Sequence, residues 1–256
     1  MVGAIIGDII GSSYELNPIK NKNFELFPVD SDFTDDTVMT MAVAKSILDR
    51  ENYIDNIIEF GLKYPNRKYG ESFRKWLKTK EYKPYDSWGN SSAMRVSPIG
   101  FAFETQDRVL DEAKKSAEIT HNHIEGIKGA EATALAIFMA RNGATKSEIR
   151  DTISDKFGYN LNRTVDKIRP NYKFYASCQK SVPESIICFL DSISFEDCIK
   201  NCVSLGGDAD TMGAIAGGIA EAYYGIPEEL EEKVYRYLPD EFIGIVKRFK
   251  DTFQNR

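Results

Sequence analysis

Apolar residues in this chain recur three and four positions apart, not two. Over 37–50 they fall at Val38, Met41, Ala42, Ala44, Ile47 and Leu48, a spacing that lays one continuous face along a helix. Comparable patterns predict helices over 53–62, 71–78, 108–120, 124–142, 146–157, 183–190, 194–205, 211–224 and 228–237. Alternating runs of β-branched and aromatic residues are scarce. The chain therefore reads as all-α, a compact single-domain orthogonal helical bundle spanning 1–256, with no Pro/Ser linker or repeat to divide it. Helix ends carry their own signals: Gly143 suits the stop of 124–142, and Gly225 with Pro227 that of 211–224. The stretch 64–98, rich in Gly, Pro, Tyr, Trp and Ser, reads as a long connection around the one short helix 71–78, and connections of that length often carry function.

Composition narrows the class. A hydrophobic content of 42% over 256 residues is enough for a substantial core. The formal net charge of −6 disfavours non-specific nucleic-acid binding, which needs basic surface to displace counterions. The apolar start, 2–10, is interrupted by Asp8 and too short to span a bilayer, so neither a membrane partner nor a leader is expected. Cys178, Cys188, Cys198 and Cys202 form no CxxC pair, and the two histidines stand together at His121 and His123. Zinc is poorly supported by that set, and buried reduced thiols in a cytoplasmic protein are the simpler expectation.

Candidate chemistry enters with two acidic clusters, Thr34-Asp35-Asp36-Thr37 and Gly206-Gly207-Asp208-Ala209-Asp210-Thr211, each opening a predicted helix. Crowded carboxylates repel one another and need compensating positive charge. Mg²⁺ or Mn²⁺ supplies it, taking oxygen ligands from carboxylates, hydroxyls and carbonyls. Helix capping is the rival for either cluster alone, since Asp and Thr are favoured at helix N-termini. Two such clusters in one chain favour the metal.

Glycine spacing suggests how the clusters meet. Gly3, Gly7 and Gly11 recur every fourth residue, and Gly213 and Gly217 repeat the interval beside Ala214, Ala216, Gly218 and Ala220. Small faces of this kind let helix backbones approach closely. Packing the two helices together would gather Glu15, Asp35, Asp36, Asp208 and Asp210 around one site.

With these residues in view, the chain resembles the ADP-ribosylglycohydrolase family, which includes the enzymes that reactivate ADP-ribosylated dinitrogenase reductase. The matching segments are GAIIGDIIGSSYE at 3–15, FTDDTVMTMAVA at 33–44, GNSSAMRVSPIG at 89–100, Thr120-His121, SVPESI at 181–186 and GGDADTMGAIAGGIAEAYYGIP at 206–227. They occur in the family's order and span nearly the whole chain. The resemblance implies an all-α fold with two magnesium ions beside ADP-ribose, Mn²⁺ serving as a substitute. It implies metal ligation by Thr34, Asp35, Asp36, Asp208, Asp210 and Thr211, and acid/base work by Glu15 with Asp35 or Asp36. The loop of Gly89, Asn90, Ser91, Ser92 and Met94 would cradle the diphosphate or distal ribose, and His121 would line the ribose pocket. Family loops often read GNGGAMR, so Ser91 and Ser92 depart from that pattern. The implied reaction is Mg²⁺-dependent hydrolysis of the N- or O-glycosidic bond of an ADP-ribosyl group on a protein or small molecule, by a monomer. Nucleic acid would enter only as an ADP-ribosylated substrate. A non-catalytic ADP-ribose-binding regulatory module is the alternative. Trp88, Tyr82 and Tyr85 are candidates to stack on adenine or to fill local core.

Overall fold

The computed structural model describes residues 1–254. The fold is all-α: among these residues no strand forms, and one isolated antiparallel bridge joins Gly89 to Ser177. The helices are α1 (Val2–Ser12), α2 (Asp35–Asp49), α3 (Tyr53–Lys63), α4 (Glu71–Thr79), α5 (Ser91–Met94), α6 (Ser97–Ala102), α7 (Gln106–Glu118) and α8 (Ile124–Arg141). They continue as α9 (Lys146–Phe157), α10 (Val165–Ile168), α11 (Cys178–Leu190), α12 (Phe195–Ser204), α13 (Ala209–Tyr224), α14 (Glu228–Val234) and α15 (Asp240–Phe249). A short 3₁₀ turn, Tyr235–Tyr237, and a π-helical turn, Lys250–Gln254, complete the chain.

Helix α1 is the axis of the molecule. Apart from Asp8 and Ser12 it carries only apolar residues and glycine, and all its residues are buried, as a fully enclosed helix requires. Ile5, Ile6, Ile9 and Ile10 are almost wholly removed from water, each stabilising the fold by about 1.5–3 kcal/mol. Along one face α1 runs antiparallel to α13, glycine against glycine. A Cβ on Gly3, Gly7 or Gly11 would stand 2.3, 2.0 and 2.3 Å from the carbonyl oxygens of Gly217, Gly213 and Ala209 respectively. The four-residue glycine interval thus marks a backbone-to-backbone contact that any side chain would break. Helices α2, α8, α11 and α12 pack around this pair.

Local sequence explains the ends. Thr145 and Glu148 form a reciprocal capping box at the start of α9, and Gly158 closes it at φ 67°. Arg50 ends α2 in the left-handed conformation, its N–H on the Ser46 carbonyl. That stop coincides with the end of the 37–50 pattern.

The structure corrects the pattern in four places. Residues 91–94 and 97–98, read as connection, belong to the short helices α5 and α6, the second of which runs on to Ala102. Helix α10 lies in the 158–180 segment, which has no clear periodicity. Helix α11 begins at Cys178, five residues before the Pro183 expected to open it; the proline sits inside the helix and leaves only one carbonyl without its partner. Helix α15 lies beyond 237, where the helical reading stops. Its buried Phe242, Ile245, Val246 and Phe249 follow the same three-and-four spacing.

Candidate metal centre and substrate cavity

Antiparallel packing of α1 on α13 brings the C-terminal end of α1 to the N-terminal end of α13, and α2 starts beside both. Two groups of carboxylates result, Asp8 with Asp36 and Asp210, and Glu15 with Asp208 and Asp210; within each group one oxygen per residue lies within 4.8 Å of the others. The acidic clusters near the two ends of the chain therefore form one site, with Asp210 common to both groups. The helices α2 and α13 both direct their positive N-terminal ends at it.

The first cluster does cap its helix, but from an unexpected residue. Thr34 Oγ1 accepts the Asp36 N–H at 3.3 Å, while most of the helix start is held by Asp8. Asp8 Oδ2 accepts from Thr34 N–H at 2.9 Å, Thr37 N–H at 3.0 Å and Thr37 Oγ1 at 2.5 Å, and Oδ1 accepts from Thr34 Oγ1 at 2.7 Å. Asp8 is absent from the residues selected by sequence. Its signal is a lone carboxylate inside the helix GAIIGDIIG, where burial without partners would cost several kcal/mol.

In the second cluster the boundary residue does not cap. Asp208, at the N-terminal boundary of α13, makes no capping bond with its side chain. Its Oδ2 instead accepts the Asn90 amide at 2.8 Å, tying the 89–94 segment to the site. Asp210 Oδ1 accepts the adjacent Thr211 N–H at 2.9 Å, and Thr211 Oγ1 donates to Asp36 Oδ2 at 3.2 Å. The room given by Gly207 is taken by the Tyr172 ring, which a Cβ there would meet at 2.4 Å.

These groups suit a hard divalent cation. Asp36 Oδ1 is buried with no hydrogen-bond partner among the described residues, and the Thr34 hydroxyl has one proton for two carboxylates, Asp8 at 2.7 Å and Asp36 at 3.1 Å. Burial, then the charges of Asp8 and Asp208, pushes Asp35 well above the usual carboxylate range; burial, then Asp8 and Asp35, does the same for Asp36. Burial followed by Asp208 and Asp36 raises Asp210, and burial lifts Asp208 to about 6. A site that holds carboxylates against their own repulsion, with hydroxyls from Thr34 and Thr211 at its edge, fits the oxygen donors that Mg²⁺ and Mn²⁺ prefer.

Lys68 supplies a side-chain cation beside the carboxylates. Its Nζ donates to Glu15 Oε2 at 2.9 Å and to the Ser12 carbonyl at 3.0 Å. Its backbone is left-handed at φ 64°, as are Tyr82 and Asp86 in the same connection. With Lys80, at φ 55°, four such residues, none of them glycine, concentrate backbone strain in this connection.

The segment at 89–94 turns its side chains two ways. Asn90 faces the carboxylates, as described. Ser92 Oγ donates to the Gly126 carbonyl at 2.7 Å, and Met94 is buried in the core; any contact with substrate from these two falls to their backbone. Gly89 is pinned against the start of α11 by Asn90 N–H on the Ala176 carbonyl at 2.8 Å and Cys178 N–H on the Trp88 carbonyl at 3.0 Å. Gly89, Tyr85, Ser87, Trp88, Phe174 and Tyr175 help line a cavity of about 850 Å³. Trp88 is 54% exposed at that cavity, whereas Tyr82 packs edge-on to Trp76, 5.1 Å between centroids. His121 is buried behind Gly89, its ring centroid 5.9 Å from that of Tyr85.

No helix among the described residues is long and apolar enough to cross a membrane. The sequence profile of the ADP-ribosylglycohydrolase family matches residues 1–256. The human ADP-ribosylhydrolase ARH3 is 28% identical over 320 aligned positions, covering 93% of this chain and 88% of the human protein. An uncharacterised protein of Archaeoglobus fulgidus is 27% identical, with coverage of 89% and 88%. A solved structure titled ADP-ribosylglycohydrolase-related protein complex superimposes with a TM-score of 0.75 at 24% identity, covering 98% of this chain and 95% of its own, and so shares the fold. The chain belongs to the ADP-ribosylglycohydrolase family.

Proposed function

We propose that this protein hydrolyses the N- or O-glycosidic bond of an ADP-ribosyl group, releasing ADP-ribose from a protein or small-molecule substrate, and that it depends on two Mg²⁺ ions, with Mn²⁺ as a substitute. The observation that carries the reading is the convergence of Asp36, Asp210, Asp208 and Glu15 from opposite ends of the chain onto one buried site. Family membership supports the reaction class. We further read residues 1–256 as one catalytic domain, working as a monomer in the cytoplasm.

Thr34, Asp35, Asp36, Asp208, Asp210 and Thr211 would hold the ions. When bound there, they would supply Lewis acidity for orienting the ribose hydroxyls and for lowering the pKa of a water. Asp8 has its oxygens filled by four donors, so its part is to hold the start of α2 and to orient Thr34. Asn90 orients Asp208. Glu15, with its side chain 17% exposed and Lys68 beside it, would take the proton of a water attacking the anomeric carbon. Asp35 and Asp36 are the alternative acid/base groups. As the new C–O bond forms, the bond to the leaving group breaks and that group departs with a proton given up by the carboxylate that took one from the water. Carboxylates around the anomeric carbon stabilise the oxocarbenium-like charge in between. The 850 Å³ cavity beside Gly89 would take the nucleotide, with Gly89, Asn90, Ser91 and the backbone of Ser92 and Met94 along the diphosphate and Trp88 at adenine.

The test is release of free ADP-ribose from a panel of defined linkages, with Mg²⁺ and with a chelator. Chelator-resistant release would refute the metal-dependent reading. Binding of ADP-ribose without turnover on any linkage would refute hydrolysis and leave a binding module.

A further inference from the structure

Arg95 is wholly buried, 1% exposed, and makes no ion pair among the described residues. Its Nη2 donates to the Ser116 carbonyl at 2.7 Å and to Thr120 Oγ1 at 3.2 Å. Thr120 Oγ1 has a second neighbour, His121 Nδ1, at 2.7 Å. A guanidinium only donates, so it occupies a lone pair of the hydroxyl and cannot receive its proton. Two groups then compete for the Thr120 proton, His121 Nδ1 at 2.7 Å and the Tyr85 phenol, which also pairs with the Thr120 side chain. The short contact to Nδ1 favours the imidazole as acceptor, the phenol having a proton of its own to give the hydroxyl. Were Nδ1 itself protonated, the hydroxyl would have to turn its proton away from its 2.7 Å neighbour towards Tyr85, and the phenol would lose the hydroxyl as an acceptor.

On the other side of the ring, Nε2 has no hydrogen-bond partner among the described residues. It faces Gly89, where a Cβ would stand 3.3 Å from it, at the wall of the 850 Å³ cavity. Burial and the Arg95 charge together hold the imidazole well below its usual range, so it is neutral at neutral pH. Tyr85, the other titratable neighbour, stays a phenol because burial pushes it up to about 12.

We infer that Arg95 and Thr120 are positioning residues: they lock His121 as the Nε2–H tautomer, so that the ring donates a hydrogen bond to an acceptor oxygen of the substrate at the Gly89 wall. This rests on reading the cavity as the ADP-ribosyl pocket. The relay selects for an oxygen that accepts, such as a phosphate or ribose oxygen, and against a group that can only donate.

Nitrogen NMR on histidine-labelled protein tests it directly, because the chain has two imidazoles, His121 and His123. His123 Nδ1 accepts the Glu125 N–H at 3.1 Å, making it an internal reference for the same tautomer; His123→Asn assigns the signals. In the ligand-free parent at neutral pH, His121 Nδ1 should be bare and Nε2 protonated. Thr120→Val should mix the tautomers and weaken ADP-ribose binding about tenfold, the scale of one well-made buried hydrogen bond. Thr120→Ser should restore both, and Tyr85→Phe should leave the tautomer unchanged. A proton on Nδ1 in the parent, or a tautomer indifferent to Thr120→Val, overturns the inference whatever the substrate. The expected tautomer in a parent that binds no ADP-ribose overturns the pocket reading instead, and with it the substrate half of the inference.

Discussion

Gly7→Ala is the smallest change that should pull the site apart. The added Cβ would lie 2.0 Å from the Gly213 carbonyl oxygen, 2.2 Å from its carbon and 2.8 Å from the Ala214 nitrogen, whereas ordinary contact begins at 3.4 Å. All three atoms are main chain of α13, so no rotamer change relieves the clash; the helices must separate until 2.0 Å becomes at least 3.4 Å. Overpacking of a tight core costs about 1–3 kcal/mol, or about 2–12 °C in melting temperature for a chain of this size. The damage should reach the metal centre too. Asp8 follows Gly7 directly and Asp210 lies one helical turn before Gly213, so a separation at this rung moves carboxylates that now stand within 4.8 Å of each other. Mg²⁺ takes its ligands at about 2.0–2.1 Å with little tolerance, so affinity for Mn²⁺ as a probe should fall at least about tenfold. Gly244→Ala in the exposed middle of α15 is the control, since a Cβ there meets nothing within 4 Å. It should stabilise the protein by about 0.5–1 kcal/mol through helix propensity and leave metal binding untouched. Thermal melts in chelator and calorimetric titration with Mn²⁺ read both quantities. A folded Gly7→Ala protein with parental melting temperature and Mn²⁺ affinity would refute the argument that backbone contact between α1 and α13 builds the site.

Other perturbations probe the charges. In chelator, the folded protein holds protons on Asp35, Asp36, Asp208 and Asp210 that the unfolded chain releases near pH 4, because burial and mutual repulsion raise all four. A raised carboxylate favours the folded state at low pH, so the melting temperature should fall as pH rises from about 4 through 6 and beyond, and millimolar Mg²⁺ should flatten that fall; a rise with pH in chelator would contradict it. Lys68→Met removes the cation beside Glu15 and should tighten Mn²⁺ binding several-fold at low salt, an effect that salt diminishes because both side chains are partly exposed; weaker binding would mean that Lys68 supports the ion-binding geometry. Asp36→Asn should abolish turnover in the linkage panel while ADP-ribose still binds; turnover within a few-fold of the parent would remove Asp36 from the centre.

What could be read from the chain follows from what each residue's job demands. A backbone contact demands the absence of a side chain, and that demand is written in residue type: the glycines at 3, 7, 11, 213 and 217 declare it, and the helices that carry them do meet rung by rung. Crowded carboxylates at 35, 36, 208 and 210 declare themselves in the same way. Helix α15 was legible in kind, since Phe242, Ile245, Val246 and Phe249 keep the helical interval. Its weakness is Gly244, which costs about 1 kcal/mol of helix propensity and leaves packing against α2 to support the element. The remainder turns on partners. Asp8 inside an apolar helix reads as an interruption until the N-terminus of α2, 26 residues on, arrives to fill its lone pairs. Ser92 sits in a loop motif that suggests ligand contact, yet its hydroxyl belongs to Gly126. Asn90 with Asp208, Lys68 with Glu15, and Arg95 with Thr120 are pairs set by the meeting of distant segments. Each polar group could have had many partners, and only the packing of α1 against α13 and of the 85–90 connection against the start of α11 selects among them. Sequence therefore exposes the groups with an obvious demand for charge or space, while those that orient them become visible only once the backbone has brought both partners together.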